Sequence, residues 1–223
     1  MSGSLFMVAT PIGNLEDVTA RSRRVLGEVD AIACEDTRVT SKLLAHLGLQ
    51  KPLVSLHEHS NPKAVTALIE RMLAGESIAY ACDAGTPGMN DPGGKLVQAA
   101  MEAHIKIEPI PGPSALTTAI SVCGFPMDEF LYIGFIPHKK GRETLFKEMA
   151  ERETPTIFLE STHRIMKTLE ALAKHLDPMR EIFIGRELTK LHETLYRGMI
   201  TDVIQRLEAT STKGEFIVII GKA

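Results

Sequence analysis

Hydrophobic positions along the chain fall into short runs of four to six residues, set between longer stretches in which apolar residues recur at helical spacing. In the first half the runs Leu5–Ala9, Ala31–Cys34, Leu53–Leu56, Ser77–Cys82 and Ile105–Ile110 read as strands, separated by helices at about 19–28, 38–47, 62–74 and 92–103. Asn61-Pro62 supplies a capping side chain followed by a proline at the first helical position, Gly75 ends that helix, and Asp91-Pro92 repeats the arrangement. Strands alternating with helices predict an α/β fold with a mostly parallel sheet.

Beyond Cys123-Gly124-Phe125-Pro126 the spacing changes. Leu131–Phe135, Thr156–Leu159, Ile182–Gly185, Thr194–Arg197 and Phe216–Gly221 read as strands, some near enough in sequence for antiparallel pairing, so a mixed sheet is expected there. Two α/β domains follow, residues 1–112 and 113–223, with Ser114 as N-cap of a helix over Ala115–Val122.

Composition narrows the setting. A chain of 223 residues with 44% hydrophobic content has ample material for a core. Cys34, Cys82 and Cys123 lie in or beside apolar runs with no CxxC pair, which points to buried, reduced thiols and a cytoplasmic protein. No run is long enough to span a membrane, and the opening MSGSLFMVA lacks a secretion leader. A net charge of −3 disfavours bulk binding to nucleic acid, so a polyanion would have to meet a local basic patch.

The chemistry collects where strands end. Asp83 to Gly94 follows a continuous apolar run with two prolines, four glycines and acids that exceed the needs of a bare turn; in open α/β sheets such carboxyl ends hold ligands. Pro111 to Ala115 is either a second face of that site or a rigid hinge between domains. Thr10 to Asp17 carries one glycine and matches neither GxGxxG nor a P-loop, which disfavours dinucleotides and ATP. Glu35-Asp36-Thr37-Arg38 reads equally as an acid/base centre and as a capped helix start with an ion pair. His57-Glu58-His59 has metal-ligand residue types but no third ligand near it, and no metal is expected. His138-Lys139-Lys140-Gly141-Arg142 is the densest basic cluster, suited to a phosphate backbone or to plain solvation.

Taken together, TPIGNLED (10–17), CEDTR (34–38), HEH (57–59), CDAGTPGMNDPG (82–93), PGPSA (111–115), GFIPHKKGR (134–142), LESTHRI (159–165), GRELTKLHE (185–193) and KGEF (213–216) resemble the tetrapyrrole-methylase-like family, and within it the bacterial branch that methylates 16S ribosomal RNA. The resemblance implies two α/β domains with S-adenosylmethionine in a cleft between them, and methylation of the ribose 2′-hydroxyl of a cytidine in the decoding region of 16S rRNA. It places cofactor contacts on Pro11, on Asp83, Ala84, Gly85, Thr86 and Pro87, on Ser114 and Ala115, and on Leu159 and Leu188. A ribose hydroxyl is a poor nucleophile, so a nearby group should take or orient its proton. Asp36 or Glu35 is the expected base, with Asn14 orienting the ribose and Lys139, Lys140 and Arg142 on phosphates.

The expected partners are 16S rRNA or the small ribosomal subunit and a second copy of the chain, with neither membrane nor DNA. Met89-Asn90 stands where the family usually has isoleucine and serine, a change that backbone contacts should tolerate. Proteobacterial members run on past the counterpart of GEFIVIIGKA into a small extension, and a weaker independent hold on RNA is expected without it. The competing readings are a methylase of the same fold acting on a tetrapyrrole or a protein side chain, against which TPIGNLED lacks the GxGxGD of the porphyrin branch, and a non-catalytic RNA-binding assembly factor.

Overall fold

A computed structural model describes residues 3–222, which divide into two compact units between Ser114 and Ala115. In the first, strands β1 (Ser4–Val8), β2 (Ala31–Cys34), β3 (Leu53–Ser55), β4 (Ile78–Ala81) and β5 (Lys106–Ile110) form one sheet in the order β3-β2-β4-β1-β5. Every pairing in it is parallel. The crossovers are α1 (Ala20–Glu28), α2 (Thr37–Leu47), α3 (Pro62–Leu73) and α4 (Gly93–Glu102).

The side-chain period of two explains why the central strands are apolar throughout. On β4, Ile78 and Tyr80 point into one core with Leu68 and Met72 of α3 and Leu96 and Ala100 of α4. Ala79 and Ala81 face the other, with Val25 and Leu26 of α1 and Leu43, Leu44 and Leu47 of α2. The sheet is therefore doubly wound, and all five strands end at the same edge. Asn61 caps α3 by accepting from the Lys63 N–H at 3.0 Å, as its position before a proline predicts.

The second unit begins with α5 (Ala115–Cys123) and continues through β6 (Leu131–Phe135), α6 (Arg142–Glu151), β7 (Thr156–Ser161), α7 (Ile165–Leu172), β8 (Glu181–Arg186), β9 (Thr194–Met199), α8 (Ile200–Thr210) and β10 (Glu215–Ile220). Its sheet runs β6-β7-β10-β8-β9 and is mixed: β6 and β7 are parallel, while β10 is antiparallel to both neighbours and β8 to β9. Phe216, Val218 and Ile220 of β10 pack under the apolar faces of α6, α7 and α8.

Strand β7 runs two residues past the expected Leu159, because its polar end is satisfied inside the unit. Glu160 is buried, accepts from the Ser161 N–H at 2.9 Å and from Thr168 Oγ1 at 2.7 Å, and pairs with Arg164 at 3.3 Å. All three cysteines are buried and unbridged. Among the described residues no helix is long and apolar enough to cross a membrane.

Candidate active site

At the carboxyl edge of the first sheet three loops are laced together by main-chain and hydroxyl contacts. The Thr10 N–H donates to the Gly85 carbonyl at 2.9 Å and the Gly85 N–H to that of Thr10 at 3.1 Å, while Thr10 Oγ1 donates to the Cys82 carbonyl. Thr86 Oγ1 donates to the Pro113 carbonyl at 3.0 Å. Pro11, residues 83–87 and the 111–114 turn thereby come together as one surface. Gly85 has φ +83, a conformation other residues resist, and a Cβ there would stand 3.3 Å from Ile12.

The second half of the long loop is organised by one carboxylate. Asp91 accepts from the N–H of Gly88 at 2.7 Å, of Met89 at 3.1 Å and of Gly93 at 2.7 Å. It thus satisfies orphan donors at the start of α4, which Pro92 cannot cap with its own side chain. Its place before Pro92 predicts a helix cap; its hold on Gly88 and Met89 depends on a loop path that no pattern discloses. Asn90 takes the left-handed φ of 64 that asparagine tolerates.

Beside this loop lies the acid pair of β2. Asp36 serves as N-cap of α2, accepting from the Arg38 N–H at 2.8 Å while its carboxylate also meets the Arg38 guanidinium at 2.6 Å. Those bonds from Arg38 hold its carboxyl well down, at about 2. Glu35 is its opposite: partly buried and faced by Asp83 and Asp91, it is pushed up to about 7. The loops are joined here as well, since the Asp36 N–H donates to Asp83 Oδ1 at 3.1 Å.

Glu35, Cys82 and Asp91 present ligand-type atoms within 4.8 Å of one another. Burial, with the Asp91 and Glu35 charges, pushes the Cys82 thiol up to about 12, so at neutral pH it stays protonated; it lies 3.4 Å from the carbonyls of Ala84 and Gly85. Asn14 is exposed and its side-chain oxygen accepts from the Glu16 N–H, capping the 3₁₀ turn Leu15–Asp17. His57 and His59 stand on a separate tight turn with ring centroids 6.5 Å apart.

In the second unit Leu159 lies half-buried on β7, opposite Ile217. Leu188 is nearly buried after β8, where a Cβ at Gly185 would stand 2.9 Å from it. Its neighbours Glu187 and Thr189 both have left-handed backbone, at φ 51 and 64, a strained pair for non-glycine residues. Lys139 and Lys140 are exposed. Arg142 turns inward instead: it donates to Thr168 Oγ1 at 2.7 Å and covers the Phe146 ring at 5.0 Å. Arg164, bonded to the Ile136 carbonyl, steadies the base of the same loop.

A doubly wound parallel sheet joined to a mixed one, with glycine- and proline-rich loops gathered at the first sheet's carboxyl edge, defines a class. The chain belongs to the family described as tetrapyrrole (corrin/porphyrin) methylases, which matches residues 4–204. Among solved structures, uroporphyrin-III-C-methyltransferase from Thermus thermophilus shares the fold at TM-score 0.70 and 19% identity, covering 99% of this chain and 94% of that one. The methyltransferase CobJ shares it at 0.73 and 19%, covering 100% and 95%.

Sequence relatives narrow the branch. Ribosomal RNA small subunit methyltransferase I of Xylella fastidiosa is 42% identical over 221 residues, 98% of this chain and 81% of the relative, and that of Thermotoga maritima is 39% identical over 218 residues, 98% of each. The chain is a member of the ribosomal RNA small subunit methyltransferase I group, and a methyltransferase.

Proposed function

We propose that this chain transfers a methyl group from S-adenosylmethionine to the ribose 2′-hydroxyl of a cytidine in the decoding region of 16S rRNA, acting as a homodimer in the cytoplasm. The observation that carries the reading is the laced surface of Pro11, Asp83–Pro87 and Ser114 beside a carboxyl group poised near neutrality.

The residues fit the cofactor. Gly85 keeps the backbone low against Ile12, a Cβ at Gly88 would meet nothing within 4 Å, and the Asp83 carboxylate complements the cofactor's positive charge. Ala115, Leu159 and Leu188 complete the expected contact set. When bound, S-adenosylmethionine supplies a methyl group already activated for displacement. The chain then has to bring the hydroxyl into line and manage its proton.

Of the two expected bases, Glu35 is the better proton acceptor near pH 7, and Asp36, saturated by Arg38, positions the loop through its N–H to Asp83. Asn14 orients the ribose from the neighbouring loop, and Lys139 and Lys140 are free to meet phosphates, with Arg142 bracing the loop that carries them.

Incubation with methyl-labelled S-adenosylmethionine and either small ribosomal subunits or a porphyrinogen tests the reading. Label in 16S rRNA is expected; label in the porphyrinogen alone would assign the chain to a tetrapyrrole, and no binding of the cofactor would leave a non-catalytic assembly factor.

A further inference from the structure

A second concavity opens on the first unit, where α3 and α4 diverge beneath the turn that follows β3. It encloses about 560 Å³, within the range of small-ligand sites. Val65 and Ile69 of α3 and Ala99 of α4 give it apolar walls. Its rim is polar: His57 and Glu58 on the turn, and Lys95 and Glu102 on α4. The turn has a fixed shape, because the His57 N–H donates to Ser60 Oγ at 2.9 Å and the Ser60 N–H to the His57 carbonyl at 2.8 Å.

We infer that this pocket takes an unpaired, amino-bearing base of the RNA substrate (cytosine, adenine or guanine, but not uracil). The inference rests on the proposed RNA activity. Three features select that ligand. Apolar walls and an exposed imidazole suit the faces of an unstacked base, which proteins hold against aromatic side chains. Two carboxylates on the rim can only accept hydrogen bonds when ionised, so they favour an exocyclic amino group over the carbonyl that uracil presents instead. Glu102 already accepts from Gln98 Nε2 at 3.2 Å, which steadies it at the rim. Lys95 gives one cation for the phosphate that must accompany the base.

The pocket adjoins the end of the cofactor loop, since Pro92 lines it and Asp91 ties Gly93 to Gly88. His57 and Glu58 of the HEH sequence thereby acquire a role in substrate selection.

Glu58→Ala and Glu102→Ala, which remove the acceptor, test this on the folded enzyme, both being exposed positions outside the core. Each is expected to raise KM for small ribosomal subunits about fivefold or more, the lower end of one base-edge contact, with S-adenosylmethionine affinity unchanged. A direct readout is amide NMR: cytidine and adenosine monophosphate should shift residues 57–60 and 95–103, and uridine monophosphate should not.

Unchanged KM in both variants, or equal shifts with all three nucleotides, would overturn the pocket's assignment. If wild-type protein methylates no RNA while the shifts with cytidine and adenosine monophosphate remain, the proposed activity fails and the base pocket stands.

Discussion

Glu35 and Asp36 are adjacent in sequence and opposite in chemistry. CEDTR showed two carboxylates and a guanidinium at a strand end, and could not show which acid the arginine takes. The structure divides them, because Asp36 caps α2, whereas Glu35, in the bend just after β2, points among other acids. Glu35→Gln is therefore expected to lower kcat by about 10²-fold with cofactor affinity retained, the usual scale for losing one proton-transfer group. Asp36→Asn should leave kcat near that of the wild type in the same assay, because asparagine still caps α2 and the lost ion pair with Arg38 is exposed.

The pH dependence follows from the same burial. With Glu35 as base, kcat/KM should rise through about pH 7 as its carboxyl ionises. Stability runs the other way. Because the folded-state value is raised, the proton is held more tightly folded than unfolded, and this contribution is complete below the ordinary carboxylate range and lost as pH rises to about 7. Urea unfolding between pH 4.5 and 7.5 should show that loss in the wild type and a flatter profile in Glu35→Gln; a matching slope in both would clear Glu35 of the effect.

At the scale of elements, the strands and first helices were legible because each carries its own period and punctuation. Strand β2 has the expected ends, and α3 begins at the Asn61 cap. What the pattern could not supply was the company each loop keeps. Asp91 holds three main-chain donors of one loop, so Asp91→Ala should cost about 1–3 kcal/mol and weaken S-adenosylmethionine binding measured by calorimetry. Arg142 is the counterexample at a basic loop: its charge was visible, but its partner Thr168 lies 26 residues away. The neighbouring ion pair makes a sharper case. Arg164→Ala strands the buried Glu160 carboxylate and should cost about 3–5 kcal/mol in thermal or urea unfolding.

Over the whole molecule, alternation of periods disclosed two α/β units with a parallel and a mixed sheet, while the strand orders β3-β2-β4-β1-β5 and β6-β7-β10-β8-β9 came only with coordinates. Pairing order depends on which crossover passes which sheet face, and no single segment encodes that. The candidate site was legible in outline for the same reason: strand-end loops announce themselves through glycine, proline and acids, but their lacing by Thr10, Thr86 and Asp83 is a property of the assembled sheet.

The central claim is ribose methylation of one cytidine in 16S rRNA. It is tested most directly by nuclease digestion and mass spectrometry of 16S rRNA after small ribosomal subunits lacking the modification are incubated with the protein and S-adenosylmethionine. A single 2′-O-methylcytidine in the decoding region, absent when Glu35→Gln replaces the wild type over the same interval, is the predicted result. A methyl group on a base, or unmodified RNA alongside demonstrable cofactor binding, would contradict it.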